Sequence, residues 1–357
     1  MTDLGEVVQP ISGRPFVTIA IPTFNRGSWL RGCIGAALSQ TYQNFEILVS
    51  DNASTDDTAK IAQEFSDVRL RVLRQEHNIG LLPNWNTCVR EAKGEYIVLV
   101  SDDDLISPAF LERCVGLLRQ DPALPIVITL ADILFFPEGR LVAATPSIKL
   151  ATGICSGPDI LYEYLNGRIS AQICGMLIRT DVLRACGSFC NDLQHTADMA
   201  CWAPILLAGR AGFVNEGSVT FRVHDGARTS AFSDDALVAD VRVIAELIEK
   251  KSISAIDDPQ LRRRVADAAR LYVALYAIDR VRLHRQAGAT IVQAAAALWR
   301  WRNDLTNVGL MYWSVLVRPI GYVMLPKPLI PWFRSSVRLI KRLHPEHRHR
   351  PNSFWHH

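Results

Sequence analysis

The run Tyr96-Ile97-Val98-Leu99-Val100 is followed at once by Ser101, Asp102, Asp103 and Asp104. Five aromatic, β-branched and leucine residues without a polar break predict a strand buried on both faces. Three adjacent carboxylates repel one another and favour neither a strand nor a helix interior. A solvated turn is one outcome for such a run. The strand, however, delivers these acids at its carboxyl end, where open α/β sheets bind ligands. There a divalent cation offsets the repulsion, and hard oxygen donors suit Mg²⁺ or Mn²⁺.

The rest of the chain supplies the sheet this strand requires. Val17 to Pro22 is a short apolar strand, and Thr23-Phe-Asn-Arg26 is a loop. Leu30, Cys33, Ile34, Ala37 and Leu38 recur at helical spacing between Trp29 and Gln40. Phe45 to Ser50 is the second strand, closed by Asp51-Asn-Ala-Ser54, and Thr55 or Asp56 caps a helix to Phe65. Leu70 to Leu73 is a third strand, Pro83 to Lys93 a helix that Gly94 ends, and the acidic strand comes next. A helix from Pro108 to Arg119 and a strand from Ile126 to Phe135 follow. Strict alternation of strand and helix predicts an α/β fold: a mostly parallel sheet with helices on both faces.

From Gly139 to Gly175 glycines and prolines punctuate loops and short helices over the sheet's ligand edge. Gly175 to Arg179 reads as a strand and Ala197 to Ala208 as a helix bearing Trp202, with Pro204 inside it. Gly212 to Val223 reads as a hairpin turning near Glu216-Gly217. Helices then span Asp235 to Lys251, Pro259 to Gln286 and Thr290 to Arg302. The expected organisation is 14–232 as the sheet domain, 233–305 as a helical C-terminal appendage and 306–357 as a tail. Within the first, the break falls between 14–135 and 136–232, where the alternation gives way to loops.

Charge and cysteines narrow the partners. The formal net charge of +3 is too small to imply nucleic acid. None of the eight Cys form CxxC pairs, and Cys33, Cys88, Cys114, Cys174 and Cys201 sit among apolar residues, as reduced core thiols do. That favours the cytoplasm. Met1 to Gly13 lacks the apolar core of a signal peptide, and the most apolar stretch, Gly309 to Leu325, is broken by Arg318-Pro319.

Several ordered motifs carry a resemblance. They are Ile21-Pro-Thr-Phe-Asn-Arg26, Val49-Ser-Asp-Asn-Ala-Ser-Thr-Asp-Asp-Thr58, Asn78-Ile-Gly80 with Asn84 and Asn86, and Gly94-Glu-Tyr96. The Asp102–Asp104 triplet, Ala197-Asp198 before a Trp-bearing helix, and Arg222-Val-His224 complete the series. Over Val17 to about Ser230 the chain resembles the family 2 glycosyltransferases, which have the A-type glycosyltransferase fold. The resemblance implies transfer of a sugar from a nucleotide-sugar to an acceptor with inversion at the anomeric carbon.

It also implies roles. Pro22, Thr23, Asn25, Asn78 and Gly80 line the nucleotide-sugar, and Asp51 accepts an N–H from the base. Thr55 or Asp56 can cap the following helix, which leaves Asp51 free for that contact. Asp102 contacts the ribose and Asp103 ligates Mn²⁺ or Mg²⁺, with Asp104 as a second ligand. Arg222 clamps a phosphate and His224, two residues on and on the same face, ligates the metal. Asp198 is the general base, with Asp192 the runner-up. The Ala at 197 departs from the Glu-Asp pair of many relatives. The donors that suit Asp51 are UDP- and dTDP-sugars. The acceptor is a saccharide, free or linked to a polyprenyl diphosphate, in cell-surface polysaccharide or glycan synthesis.

The tail orders aromatics (Trp313, Tyr322, Trp332) before a basic run to Arg350. Residues 309–350 suit either an anionic membrane surface, with the protein peripheral on the inner face of the cell membrane, or a strap packed on the core. The rival functions are an inactive nucleotide-sugar-binding or membrane-tethering protein, and a nucleotidyltransferase. The last needs a Gly-rich basic phosphate loop that Thr23 to Gly27 does not supply.

Overall fold

The structure is a computed structural model that describes residues 10–187, 189–190, 192–193, 195–224, 232–308 and the isolated positions 316, 320, 323 and 324. The tail readings on 309–350 fall almost wholly outside these residues. The chain divides into two compact units. The first is Met1–Ile160, Ile169–Leu193 and Ala197–Ala227; the second is Leu161–Arg168, Gln194–Thr196 and Arg228–His357. A single cut at 232 misses the two short segments that join the second unit.

In the first unit β1 (Val17–Thr23), β2 (Phe45–Asp51) and β4 (Tyr96–Leu99) are buried along their whole length. Their near-continuous apolar runs are what parallel strands covered on both faces require. Each buried Ile, Val or Leu contributes about 1.5–3 kcal/mol. Between them run α1 (Gly27–Leu38), α2 (Thr58–Gln63), β3 (Leu70–Arg74) and α3 (Leu81–Glu91). Leu30, Cys33, Ile34 and Ala37 of α1 are buried, as their spacing predicts.

The remaining elements up to residue 223 are β5 (Leu105–Ile106), α4 (Phe110–Gln120), β6 (Ile126–Phe135), β7 (Arg140–Val142), β8 (Gly153–Ser156), α5 (Gly157–Leu165, whose residues from Leu161 on belong to the second unit), β9 (Met176–Arg179), α6 (Thr180–Ala185), α7 (Ala197–Leu207) and β10 (Arg210–Val223). The sheet order is β3-β2-β1-β4-β9-β6-β10-β5, with β7 on β6 and β8 on β10. β3, β2, β1 and β4 are parallel neighbours. β9 then enters antiparallel to both β4 and β6, so the sheet is mixed beyond the fourth strand.

One expectation is corrected here. Gly212 to Val223 is not a hairpin but part of one 14-residue strand, β10, with register shifts around Gly217. A glycine in a strand signals a bulge as readily as a turn. A Cβ on Gly217 would lie 2.7 Å from Asp132 Oδ1, so the glycine admits that carboxylate against the strand.

Gly94, part of the Gly94-Glu-Tyr96 motif, also has a packing reason. A Cβ there would fall on the Thr18 backbone N and 2.5 Å from the Tyr96 carbonyl oxygen. The Gly94 N–H donates to Thr18 Oγ1 at 2.8 Å, which ties the start of β4 to β1.

The strand order reverses about β1, whose neighbours are β2 and β4. Ligand-binding crevices open at the carboxyl ends of strands where the order reverses in this way. Thr23 lies opposite Asp51, and Asp51 opposite Arg74, so three strand ends meet at one edge. β10 runs antiparallel to β5 with Thr220 opposite Leu105. Two residues on from Thr220 and two before Leu105, that register brings Arg222 beside Asp103.

The second unit contains α8 (Asp234–Ala255), α9 (Pro259–Gln286), α10 (Ile291–Arg300) and α11 (Arg302–Thr306). Ser233, Asp258 and Thr290 cap the first three through side-chain acceptors, and Thr290 with Gln293 forms a capping box. Among the described residues no helix is long and apolar enough to cross a membrane.

Candidate active site

The loop after β1 is locked to the loop after β2. Asn25 adopts φ 54°, which Asn tolerates better than most residues. Its N–H donates to Ser54 Oγ at 2.9 Å, and its Oδ1 accepts from the Thr55 N–H at 2.7 Å. The Arg26 N–H donates to Thr58 Oγ1 at 3.0 Å. Pro22 and Thr23 are buried, so the backbone beyond them, not their side chains, borders the crevice.

Asp51 is fully buried and engaged, contrary to the expectation that helix capping elsewhere leaves it free. Its Oδ1 accepts from the Ser54 N–H at 2.9 Å and its Oδ2 from Arg74 at 2.5 Å. The Arg74 side chain is 48% exposed, so it carries the pair's polarity out to solvent. Asn78 and Gly80 are held by Asn52, which sequence reasoning passed over. Asn52 Nδ2 donates to Asn78 Oδ1 at 2.8 Å and to the Gly80 carbonyl at 3.1 Å, and its Oδ1 accepts from the Ile79 N–H at 2.9 Å. Gly80 has φ 93°, the left-handed region where glycine alone is unstrained, and stands just before α3.

The acidic triplet splits three ways. Asp102 is buried under the loop after β1. Desolvation first, then the neighbouring Asp103 charge, push its carboxyl up to about 7, while the Thr23 hydroxyl and Phe24 N–H pull it back. Asp103 faces the other way: its Oδ2 lies 2.9 Å from His224 Nε2 and 3.9 Å from an Arg26 guanidinium nitrogen. Asp104 turns inward. Its Oδ1 accepts from the Arg222 N–H at 2.9 Å, and burial followed by the Asp103 charge hold its carboxyl well above the usual range.

The far wall comes from β10. Arg222 Nε donates to the Asp103 carbonyl, and the guanidinium lies 4.6 Å over the Trp29 ring. Trp29 also stacks on His224, with centroids 4.9 Å apart and planes at 23°. An imidazole held flat on an indole keeps one edge for Asp103. Arg26 approaches that same edge, 3.4 Å from His224 Nε2. Trp29 and Arg26 were thus missed as site residues. The available signal was an Arg and a Trp bracketing the start of α1.

The donors fit a divalent cation in part. One carboxylate and one imidazole converge, a mixed O/N set that Mn²⁺ accepts. Among the described residues no group of three such side chains forms a ready-made cage. Of the expected trio, Asp103 and His224 lie side by side, while Asp104 gives its Oδ1 to the β10 backbone and keeps Oδ2 without a hydrogen-bond partner among the described residues.

Asp198 is the second residue of α7 and is half-buried. Burial pushes its carboxyl up to about 6, offset by the Met199 N–H and the Trp202 indole one turn along the helix. The groups that set its ionisation thus all lie on α7, not in the acidic triplet. Asp192 is exposed on the loop between α6 and α7 and accepts from the Cys190 thiol at 3.6 Å. Asn86 anchors that loop to α3: its Nδ2 donates to the Phe189 carbonyl at 3.1 Å and its Oδ1 accepts from the Phe189 N–H at 2.8 Å.

Residues 18–136 match glycosyl transferase family 2. An uncharacterised glycosyltransferase of Rickettsia typhi is 28% identical over 226 residues, 60% of this chain and 66% of that protein. The chain thus spans less than two thirds of this relative's length, and as little as 14% of others it matches. In fold it is similar to TarS of S. aureus in complex with UDP-GlcNAc, with TM-score 0.56 and 17% identity over 94% of this chain and 93% of that one. It is also similar to a mannosyltransferase from Pyrobaculum calidifontis solved with GDP-Man and Mn²⁺, with TM-score 0.52 and 20% identity over 97% and 92%.

Proposed function

Since residues 18–136 match glycosyl transferase family 2, we propose that the chain moves a sugar from a nucleoside-diphosphate sugar to a hydroxyl acceptor, inverting the anomeric centre. The observation that carries this reading is the meeting of Asp103 and His224, 2.9 Å apart, at the end of β4.

The base end of the donor lies along β2 and β3. Arg74, half exposed and held by the buried Asp51, offers a donor to a base carbonyl there. UDP- and dTDP-sugars lead, in line with the UDP-GlcNAc complex of TarS. Asp102 faces the ribose. Asp103 and His224 hold Mn²⁺ or Mg²⁺, which when bound supplies positive charge to the leaving diphosphate. Arg222 and Arg26 add fixed cations at the same edge, where their guanidinium groups clamp phosphate oxygens. Trp29 keeps His224 and Arg222 in place.

Asp198 takes the acceptor proton as the hydroxyl attacks. A base with its carboxyl pushed up to about 6 is ionised near neutrality yet more basic than an exposed Asp. Acceptors are saccharides, free or linked to a polyprenyl diphosphate, and the site of action is the cytoplasmic face of the membrane, reached through residues 309–350.

Thermal-shift titration of the full chain with UDP, dTDP and GDP, each with and without Mn²⁺, tests the donor half. A ligand at 100 times its Kd adds about 2.7 kcal/mol of stability. UDP or dTDP should raise Tm in Mn²⁺ and much less in EDTA. No shift with any nucleotide would refute the reading.

A further inference from the structure

Three side chains close on one point beyond the end of β4. Asp103 Oδ2 is 2.9 Å from His224 Nε2, with the two side chains 16% and 6% exposed. Arg26 Nη1 lies 3.4 Å from that Nε2 and 3.9 Å from that Oδ2. In a neutral imidazole one ring nitrogen donates and the other accepts. Nε2 therefore cannot donate to Asp103 and accept from Arg26 at once. With its proton on Nε2 the ring would turn an N–H toward a guanidinium. With its proton on Nδ1 it turns a lone pair toward both Arg26 and the carboxylate. Two acceptors this close repel unless one positive charge faces both. Arg26 is that charge. A divalent cation uses the same two donor atoms, so the guanidinium and the ion exclude one another.

The backbone of Arg26 is fixed independently of its side chain. Its N–H donates to Thr58 Oγ1 at 3.0 Å, and its carbonyl accepts from the Trp29 and Leu30 N–H groups at 2.9 Å each. The guanidinium rides on a flexible stem and takes no part in that anchoring. Arg222 differs. Its backbone N–H is bound to Asp104, its Nε donates to the Asp103 carbonyl, and its guanidinium lies over Trp29. Of the two arginines at this edge, Arg26 is the one that can turn away without disturbing β10. A phosphate offers it two oxygens in a fork, a better match than a lone pair at 3.4 Å and a carboxylate at 3.9 Å.

We propose that Arg26 is a tethered counter-ion that competes with the divalent cation for Asp103 and His224, and that the diphosphate of the donor draws it away. Nucleotide and metal then bind cooperatively, because the phosphate that takes Arg26 leaves the pair open. This inference rests on the metal reading of Asp103 and His224 and adds to it the residue that sets metal affinity. Coupling between two ligands is reciprocal and typically amounts to about 5–150-fold.

The test titrates Mn²⁺ alone into the full chain, with free Mn²⁺ followed by electron paramagnetic resonance. Arg26→Gln and Arg26→Met remove the charge, and Arg26→Lys keeps it. Circular dichroism should match wild type for all three, since the backbone anchors remain. The two charge-free variants should bind Mn²⁺ about tenfold more tightly than wild type, and Arg26→Lys about as wild type does. In EDTA the charge-free variants should bind UDP more weakly, because the phosphates lose a clamp. The proposal is overturned if Arg26→Gln and Arg26→Met bind Mn²⁺ no more tightly than wild type, or if Arg26→Lys gains as much as they do. It is also overturned if UDP binding in EDTA is the same with and without the Arg26 charge. Adding Asp103→Asn to Arg26→Gln separates the two readings and should abolish the gain. If the gain persists, or if no form of the chain binds Mn²⁺, the pair is not the metal site and the proposal falls with that reading.

Discussion

Asp103 Oδ2 lies 2.9 Å from His224 Nε2, across 121 residues of sequence. The antiparallel pairing of β10 with β5 prepares that meeting: Thr220 opposite Leu105 extends to Arg222 opposite Asp103, with His224 two residues beyond on the same face. A carboxylate and an imidazole at hydrogen-bond distance share a proton or hold a cation. The account assigns them the cation.

That assignment predicts matched losses. Asp103→Asn and His224→Gln each remove one donor and should lower nucleotide affinity in Mn²⁺ by at least the roughly 10–100-fold typical of disturbing a metal site. In EDTA both variants should bind as weakly as wild type does. Calorimetric titration under the two conditions measures this. Variants that bind as tightly as wild type in Mn²⁺ would remove the pair from the site.

Trp29→Leu removes the stack on His224 and the platform under Arg222 while keeping an apolar residue. The fold should persist, because Trp29 is only half-buried. Mn²⁺-dependent nucleotide affinity should fall by about 10-fold, as for loss of an orienting partner. An unchanged affinity would make the stack incidental.

Asp198 predicts a pH limb. With its carboxyl pushed up to about 6, the base form grows through pH 6, so the transfer rate should rise about tenfold per unit below 6 and level off above 7. The effect on stability has the opposite sign. A carboxyl raised by folding favours the protonated native state, so its contribution is full below about pH 4 and is lost as pH rises through 6. Asp198→Asn should abolish both trends and lower kcat by ~10²–10⁴-fold with donor binding unchanged. Asp192→Asn, on the exposed loop, should be mild. Rate profiles and urea midpoints across pH 4–8 check the set.

Asn86→Ala breaks both hydrogen bonds to the Phe189 backbone. Leaving part-buried backbone groups unpaired costs about 1–3 kcal/mol. Denaturant unfolding should show that loss, and hydrogen exchange should show the loop between α6 and α7 opening more often. An unchanged loop would mean that the Trp85 ring, edge-on to Phe189 at 5.1 Å, suffices to hold it.

The parallel half of the sheet was legible because its strands are apolar runs closed by polar residues, Thr23, Asp51 and the Ser101–Asp104 run, and its helices keep a 3.6-residue stripe. β9 was legible as a strand but not as antiparallel, since direction depends on the connection and not on the segment. Glu216-Gly217 misled because turn and bulge share a residue signature. At the site, the acids were visible as a run, but not that Asp102, Asp103 and Asp104 face three ways. Their division depends on a β10 backbone N–H and a His over a hundred residues away. Asn52 and Arg74 stayed hidden for a like reason: an Asn in a loop and an Arg at a strand end are ordinary until their partners are placed.

The most direct test is turnover. The folded full chain is incubated with UDP-, dTDP- and GDP-sugars in Mn²⁺, with a saccharide acceptor mixture, and release of nucleoside diphosphate is followed. The account predicts release from at least one donor, abolished by EDTA and by Asp103→Asn, and slowed ~10²–10⁴-fold by Asp198→Asn. A wild-type chain that releases nucleotide at full rate in EDTA, or an Asp198→Asn chain that matches it, would contradict the account.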